Sequence, residues 1–290
     1  NTIIDELNTE KYFLDTSVDL SLEYAKTFTD KYDDFTNFFL YWIGDNLNYK
    51  HSVVIKSYLT SQNLERTKLI IYSDVDITNN QYMKQFDNNK NIEFRIIDLD
   101  KETKDTILEN HRFNNYITSH VLNPALESDY IRLLLLHNYG GVYIDFDVLL
   151  IRDLSPLLKY EFMYQWQSYP KINQINGAVM RINKNSKLSN DLLLELSNTV
   201  PSNRSLCWAS DLYCKVKEYN KNWLVFPSAF FNTEWQLNRP ITPFEVDKYS
   251  NELFDGCFSW HWHNRWNDDI KTNSKFDIID KKIQIKYDNM

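Results

Sequence analysis

Asp145 and Asp147 stand one residue apart in the run NYGGVYIDFDVLL, Asn138 to Leu150, just after two adjacent glycines in a chain that has only five. Residues two apart on a strand face the same side, so the two carboxylates are expected together. Side by side they repel each other and lose solvation on burial, and a divalent cation with hard oxygen ligands removes both costs. The spacing therefore points to a metal-binding pair. Parallel α/β sheets hold ligands beyond the carboxyl ends of their strands, which is where VYIDFD arrives after apolar and aromatic positions. A bare D-x-D is more often two solvated aspartates at a strand end, so its context decides. Upstream, in SDYIR, Asp129 and Arg132 are three apart and share a helical face. Taken alone they form an ordinary surface ion pair.

The elements that must position these groups can be read on either side. NPALESDYIRLLLLHNYGG predicts a helix with both ends marked: Asn123 as N-cap, Pro124 at the first helical position and Gly140 at C′. The glycine pair predicts a tight reversal into the strand VYIDFD. Before it, FFLYWIG (Phe38 to Gly44), KLIIYSD (Lys68 to Asp74) and IEFRIIDL (Ile92 to Leu99) are apolar runs of strand length with helix-length segments between them. After it come strands in EFMYQW, NGAVMRI and WLVFP, and helices near 188–198 and 211–219. Strands alternating with helices predict an α/β fold, a mostly parallel sheet with right-handed crossovers. IIDEL and LSLEYAKTF add an N-terminal helical layer.

Composition narrows the class. With 43% hydrophobic and 15% aromatic residues, eight of them Trp and nineteen Tyr, the 290-residue chain should bury a sizeable core in one large domain. A net charge of −8 argues against a nucleic-acid partner, which calls for clustered Lys and Arg. Cys207, Cys214 and Cys257 are odd in number and lack C-x-x-C spacing, which argues against a disulfide framework or cysteine zinc site and leans to a reducing, cytoplasmic compartment. No apolar run has the roughly 18 residues of a membrane span, and the opening NTIIDELNTEKYF has no basic flank followed by an apolar stretch.

Read as one piece, SDYIRLLLLHNYGGVYIDFDVLL resembles the DxD sugar-transferase family, whose members include α1,4-galactosyltransferases, yeast-type α-mannosyltransferases and, more distantly, the large clostridial glucosylating toxins. The pattern there is S-D-x-x-R, an apolar helix and Y-G-G-x-Y-x-D-x-D, and every fixed position is kept. FFLYWIGDNLNYKHSVVIKSYLTSQN looks like the family's first strand and helix, and INGAVMRINKNSKLSNDLL like the strand and helix after the D-x-D. SWHWHNRWN is similar to its His- and Trp-rich end, commonly H-x-W-x-x-S-W; Trp262 and Trp266 keep the Trp spacing while Arg265 stands where Ser is usual. The family's T-G-P segment is missing, with LCWASDLYC near its place. The resemblance covers about residues 36–268 and implies a GT-A-type, Rossmann-like domain there, with 1–35 as an N-terminal helical extension and 269–290 as a C-terminal tail.

The resemblance implies transfer of a sugar from a nucleotide diphospho-sugar, a UDP-sugar above all, with Mn²⁺ or Mg²⁺ countering the charge that develops on the departing diphosphate. Asp147 would bind the metal directly, Asp145 through water or by holding the ribose, and His261 or His263 would close the coordination sphere. Asp129 and Arg132 would hydrogen-bond sugar hydroxyls. Trp42 would stack on the base, although a Trp ending a first strand is more often core. Asn176 and Gly177 would line the sugar pocket, and Trp166, Trp260 and Trp266 are acceptor or lid candidates. The family retains anomeric configuration, giving an α-linkage; with no enzymatic nucleophile placed by sequence, front-face attack by the acceptor hydroxyl is expected. The acceptor is a glycan, a lipid-linked saccharide or a protein. Two alternatives stand beside this: a haloacid-dehalogenase-type phosphohydrolase, whose D-x-D supplies nucleophile and general acid, and a non-catalytic module that binds nucleotide-sugars or glycans. Against the first, the motif lies mid-chain, with Leu149 where Thr or Val is usual. An EF-hand lacks its Gly and terminal Glu here.

Overall fold

A computed structural model describes residues 17–120, 122–166, 174–199, 208–237, 239 and 242–290. Residues 1–16 of the expected N-terminal layer, and Cys207, lie outside them. The described chain opens with helix α1 (Val18–Thr27), then β1 (Thr36–Trp42), α2 (Tyr49–Ser61), β2 (Thr67–Ser73) and β3 (Ile92–Ile96). Short helices α3 (Leu99–Thr103) and α4 (Arg112–Thr118) lead into α5 (Pro124–Tyr139), followed by β4 (Gly141–Ile144) and β5 (Val148–Leu150). Then come β6 (Phe162–Gln165), β7 (Ile175–Ile182), α6 (Lys187–Asn198), α7 (Trp208–Tyr219), β8 (Leu224–Phe226), α8 (Thr233–Gln236), β9 (Ser259–His261) and α9 (Lys275–Asp288).

Seven strands form one sheet in the order β3-β2-β1-β4-β7-β6-β8. β1 runs parallel to β2 and β4, β2 to β3, and β6 to β8, while β7 is antiparallel to both neighbours. The apolar runs are continuous because both faces are covered. Phe38 and Leu40 of β1, with Leu69 and Ile71 of β2, fill one layer, and Phe39, Tyr41, Ile70 and Tyr72 fill the other. From β1 the chain moves outward to β2 and β3, then returns to β1's other side with β4. The order thus reverses between β1 and β4, which opens a crevice beyond their carboxyl ends.

The glycine pair is explained by this crossing. Gly140 caps α5 with φ +67°, and a Cβ there would sit 2.6 Å from the Lys184 nitrogen. Gly141 has φ +125°, and its Cβ would sit 2.2 Å from the Asn37 carbonyl oxygen of β1. Both positions combine a left-handed backbone with neighbouring main chain too close for any side chain. At the other end of α5, Asn123 accepts the Ala125 N–H and Pro124 occupies the first turn, as the sequence predicts.

Both flanks share the central core. One apolar cluster contains Ala25 and Phe28 near the start and Ile279 and Ile283 near the end. Residues 269–290, expected as a tail, include α9, which docks on α2 through Tyr49–Asp280 (2.7 Å) and Lys56–Gln284 (2.8 Å) hydrogen bonds. Among the described residues no helix is long and apolar enough to cross a membrane.

Candidate active site

The strand expected to carry both aspartates stops at Ile144. Asp145, Phe146 and Asp147 form a turn closed by Val148 N–H donating to the Asp145 carbonyl at 3.1 Å, while Asp145 N–H donates to Ala178 of β7 at 2.9 Å. The inward alternation Val142, Ile144, Phe146 continues through the turn, so Phe146 is buried and a carboxylate projects on each side of it. The chain leaves β7 here because β5 pairs instead with β9, Val148 opposite His261 and Leu149 opposite Trp260. Both carboxylates still reach one cavity of about 500 Å³, whose walls include Trp42, Asn123, Ser128, Arg132, Asn264 and Trp266.

Arg132 governs one side of the pair. Its Nη2 lies 2.8 Å from Asp145 Oδ1 and 3.2 Å from Asp129 Oδ1, and the guanidinium sits 4.7 Å above the Tyr143 ring. Asp129 and Arg132 are therefore more than a surface pair: the arginine bridges both acids and is itself buried. Burial raises the Asp129 carboxyl to about 7, with Asp145's charge adding and Arg132 opposing. Burial also raises Asp145, against the pull of Arg132.

His261 governs the other side. Its Nε2 is 3.1 Å from Asp147 Oδ2, and Asn264 N–H donates to the same oxygen at 2.8 Å. Burial alone would raise the Asp147 carboxyl, but the charge and hydrogen bond of His261, helped by His263 and the Asn264 N–H, hold it at about 2. The His261 imidazole is raised by Asp147 against the opposing effect of burial, and its Nδ1 faces the Tyr164 hydroxyl at 3.3 Å. His263, the other candidate ligand, stacks on His261 at 3.9 Å but turns Nε2 to the Asn232 amide at 3.0 Å. His263 and Asn264 both adopt left-handed φ, +56° and +57°, and this turn aims the Asn264 N–H at Asp147.

Among the described residues, no group of three His, Cys, Asp or Glu side chains is arranged to hold a metal ion. The donor types nevertheless suit one: both carboxylates line the cavity, and the buried His261 imidazole contacts Asp147 at 3.1 Å. Asp147 and His261 already face each other as co-ligands would. Asp145 would have to exchange Arg132 for the cation.

The aromatic wall joins the expected Trp42 and Trp266. Their rings meet edge to face at 4.8 Å, and Trp266 stacks on His51 at 4.3 Å. Trp42 Nε1 donates to Asn46 and Trp266 Nε1 to Asn264, so both rings are held at the cavity edge. Trp260, an acceptor or lid candidate, is instead buried, with its Nε1 donating to Glu234 at 2.8 Å. Asn176 and Gly177 lie outside the described lining of this cavity. Asn176 accepts the Ala178 N–H at 2.7 Å, and Gly177 gives way to Tyr213, whose hydroxyl would lie 2.9 Å from a Cβ at that position. The small residue thus makes room for a side chain. Tyr213, buried and with no hydrogen-bond partner for its hydroxyl among the described residues, feels the charges of Arg132, Asp129 and Asp145. Neither Tyr213 nor Asn264 is visible from spacing, although Asn tolerates the left-handed turn better than most residues.

Residues 78–164 match the model of the glycosyltransferase sugar-binding region containing the DXD motif, and the stretch includes Asp129, Arg132, Asp145 and Asp147. An uncharacterized protein of Arabidopsis thaliana is 33% identical over 93 residues, which is 32% of this chain and 14% of that protein, so the chain matches only a small part of this curated relative. The apo structure of the bifunctional glycosyltransferase WbbM superposes with a TM-score of 0.51 at 13% identity, covering 89% of this chain and 53% of that one. Apo mouse xyloside xylosyltransferase 1 gives a TM-score of 0.48 at 11% identity, covering 81% and 99%. The mostly parallel seven-stranded sheet flanked by helices is an α/β fold of the GT-A type.

Proposed function

From the premise that this chain carries a DXD-containing glycosyltransferase region, we propose that it transfers a sugar from a nucleotide diphospho-sugar, a UDP-sugar above all, to a hydroxyl acceptor with retention of configuration. One observation carries the reading: Asp145, bridged to Asp129 by Arg132, and Asp147, held by His261 and Asn264, open on one cavity that Trp42 and Trp266 wall. Trp42 and Trp266 offer an aromatic edge for the nucleobase. Arg132 and Asp129 supply a forked donor and an acceptor for sugar hydroxyls. Asp145, Asp147 and His261 would hold a divalent cation, Mn²⁺ or Mg²⁺, which when bound neutralises charge on the leaving diphosphate. The Asn264 N–H fixes Asp147 before the donor arrives, while Asp145 would turn from Arg132 to the cation. Among the described residues that line the cavity, Asp145 and Asp147 are the only carboxylates, so the acceptor hydroxyl would attack from the front face.

The family match of the D-x-D segment counts against the phosphohydrolase alternative. A panel of nucleotide sugars with Mn²⁺, read by nucleoside diphosphate release, tests the proposal against an Asp145→Ala, Asp147→Ala double variant, with circular dichroism as a fold control. We expect release from at least one donor in the wild type and background release in the variant. No release from any donor, with UDP still bound, would leave only a binding module. Full release by a folded variant would remove the carboxylates from the chemistry.

A further inference from the structure

Residues 264–268 carry two groups of the candidate site, the Asn264 N–H on Asp147 and the Trp266 ring at the cavity edge, yet they form neither helix nor strand. Their carbonyls must find partners elsewhere. Three of them converge on one point, the Lys50 ammonium, which donates to the Arg265 carbonyl at 2.7 Å, to Trp266 at 2.9 Å and to Asp268 at 2.5 Å. An ammonium has three donors and no acceptor, so all of its donors are engaged. The Phe244 ring faces the same nitrogen at 3.8 Å.

Lys50 is poorly suited to its own helix. It lies in the first turn of α2, two positions after the N-cap Asn48, where the helix dipole repels a cation. It is also only 4% exposed, and burial lowers its pKa against the pull of Asp268 and Asp269. Among the described residues its direct partners are carbonyls and a ring, with no carboxylate at ion-pair distance. A buried charge is unfavourable unless it is well hydrogen-bonded, and here every such bond goes to the loop. The same helical turn adds two lesser contacts: Asn48 Nδ2 donates to the Trp266 carbonyl at 3.2 Å, and the His51 ring stacks on the Trp266 indole at 4.3 Å and 15°. Of the three side chains, Lys50 is the one that spans the loop from Arg265 to Asp268. An arginine could not replace it, because a planar fork does not direct three donors around one point.

We propose that Lys50 is a positioning residue for the donor: its ammonium gathers the carbonyls of residues 265–268 and so holds the Trp266 indole at the cavity edge in the orientation that a nucleobase meets. This rests on the glycosyl-transfer reading above, in which Trp42 and Trp266 receive the base. Lys50 lies outside the described lining of the cavity, so its effect on the donor passes through Trp266.

The test is a double-mutant cycle on the full chain, read by calorimetric binding of UDP with Mn²⁺ and controlled for folding by circular dichroism. Lys50→Met keeps the apolar stem and removes the donors. Lys50→Met and Trp266→Ala should each weaken UDP binding about tenfold, and the double variant should bind no more weakly than Trp266→Ala alone. With a turned-over donor, Lys50→Met should raise the donor KM about tenfold and change kcat less. If Lys50→Met does not fold, Lys50→Gln takes its place in the cycle. Three results would overturn the proposal: UDP binding by the folded Lys50 variant within about twofold of wild type, losses that simply add in the double variant, or failure of both Lys50 variants to fold, which would make the ammonium a general requirement of the fold. A wild type that binds no UDP defeats the donor reading instead. The loop is then read directly, with 5-fluorotryptophan incorporated and the Trp266 resonance assigned by Trp266→Phe. Lys50→Met should shift or split that resonance, and an unmoved resonance defeats the positioning role alone.

Discussion

The two carboxylates of the D-x-D turn differ more than their spacing implies. Asp145 is the open one, its side chain 25% exposed, and its partner is a long arginine side chain that also serves Asp129. Asp147 is 3% exposed and is gripped by a backbone N–H and a buried imidazole, both supplied from the C-terminal part of the chain. The contrast separates an adjustable group from an anchor. A side-chain partner can swing away when a ligand arrives, whereas a main-chain donor in a left-handed turn cannot.

Substitutions at the two aspartates should break that comparison most sharply. Asp147→Ala leaves His261 buried without its counter-charge, and breaking such a pair costs about 3–5 kcal/mol. Urea unfolding should show that loss together with nucleoside diphosphate release reduced at least about a thousandfold. Stability within about 1 kcal/mol of wild type would contradict the anchor role. Asp145→Asn should lower release by about a hundredfold yet cost no more than ~1 kcal/mol, because the amide oxygen can still accept from Arg132 and Asp129 keeps the cation paired. A large stability loss there would make the two acids alike.

An effect seen only when pH is changed sharpens a parallel contrast between two histidines. His51 is neutral: its Nδ1 accepts the Asn48 N–H, and burial lowers its pKa to about 3. Below about 6.5 the unfolded chain takes up a proton that the folded one refuses, so stability falls as pH drops from 6.5 towards 3, by at most ~1.4 kcal/mol per unit. His261 runs the other way. Its raised value stabilises the fold at low pH, and this is lost as pH rises through it. His51→Gln, which can keep the capping bond, should flatten the acid limb of a stability-versus-pH series. An unchanged slope would mean that His51 does not set it.

Much of the scaffold could be read from local chemistry. The ends of α5 announce themselves as Asn123-Pro124 and Gly140, and the apolar runs of β1 and β2 need both faces covered, which implies flanking helices. The candidate site was legible in residue type and less so in shape. The alternation through Phe146 gives no sign that the strand has ended, because the turn keeps the same residue inward. What ends it is pairing with β9, more than a hundred residues later, and no local pattern reports a contact so distant. The same distance hid Asn264, while at Gly177 the sequence alone cannot choose, because a missing side chain fits a tyrosine ring as well as a ligand. Ile279 and Ile283 carry the helical spacing that docks α9, within a segment polar enough to pass for a tail.

The pairing of β5 with β9 also sets an order of events. The ribosome delivers Asp145 with Arg132 already made, and the central strands can close around them while Asp147 still faces water. Only when residues 259–264 emerge and zip onto β5 does the second acid gain its lock. Competence at this centre is thus tied to arrival of the distal chain, and a product released before that point would hold a nearly finished sheet around half a clasp.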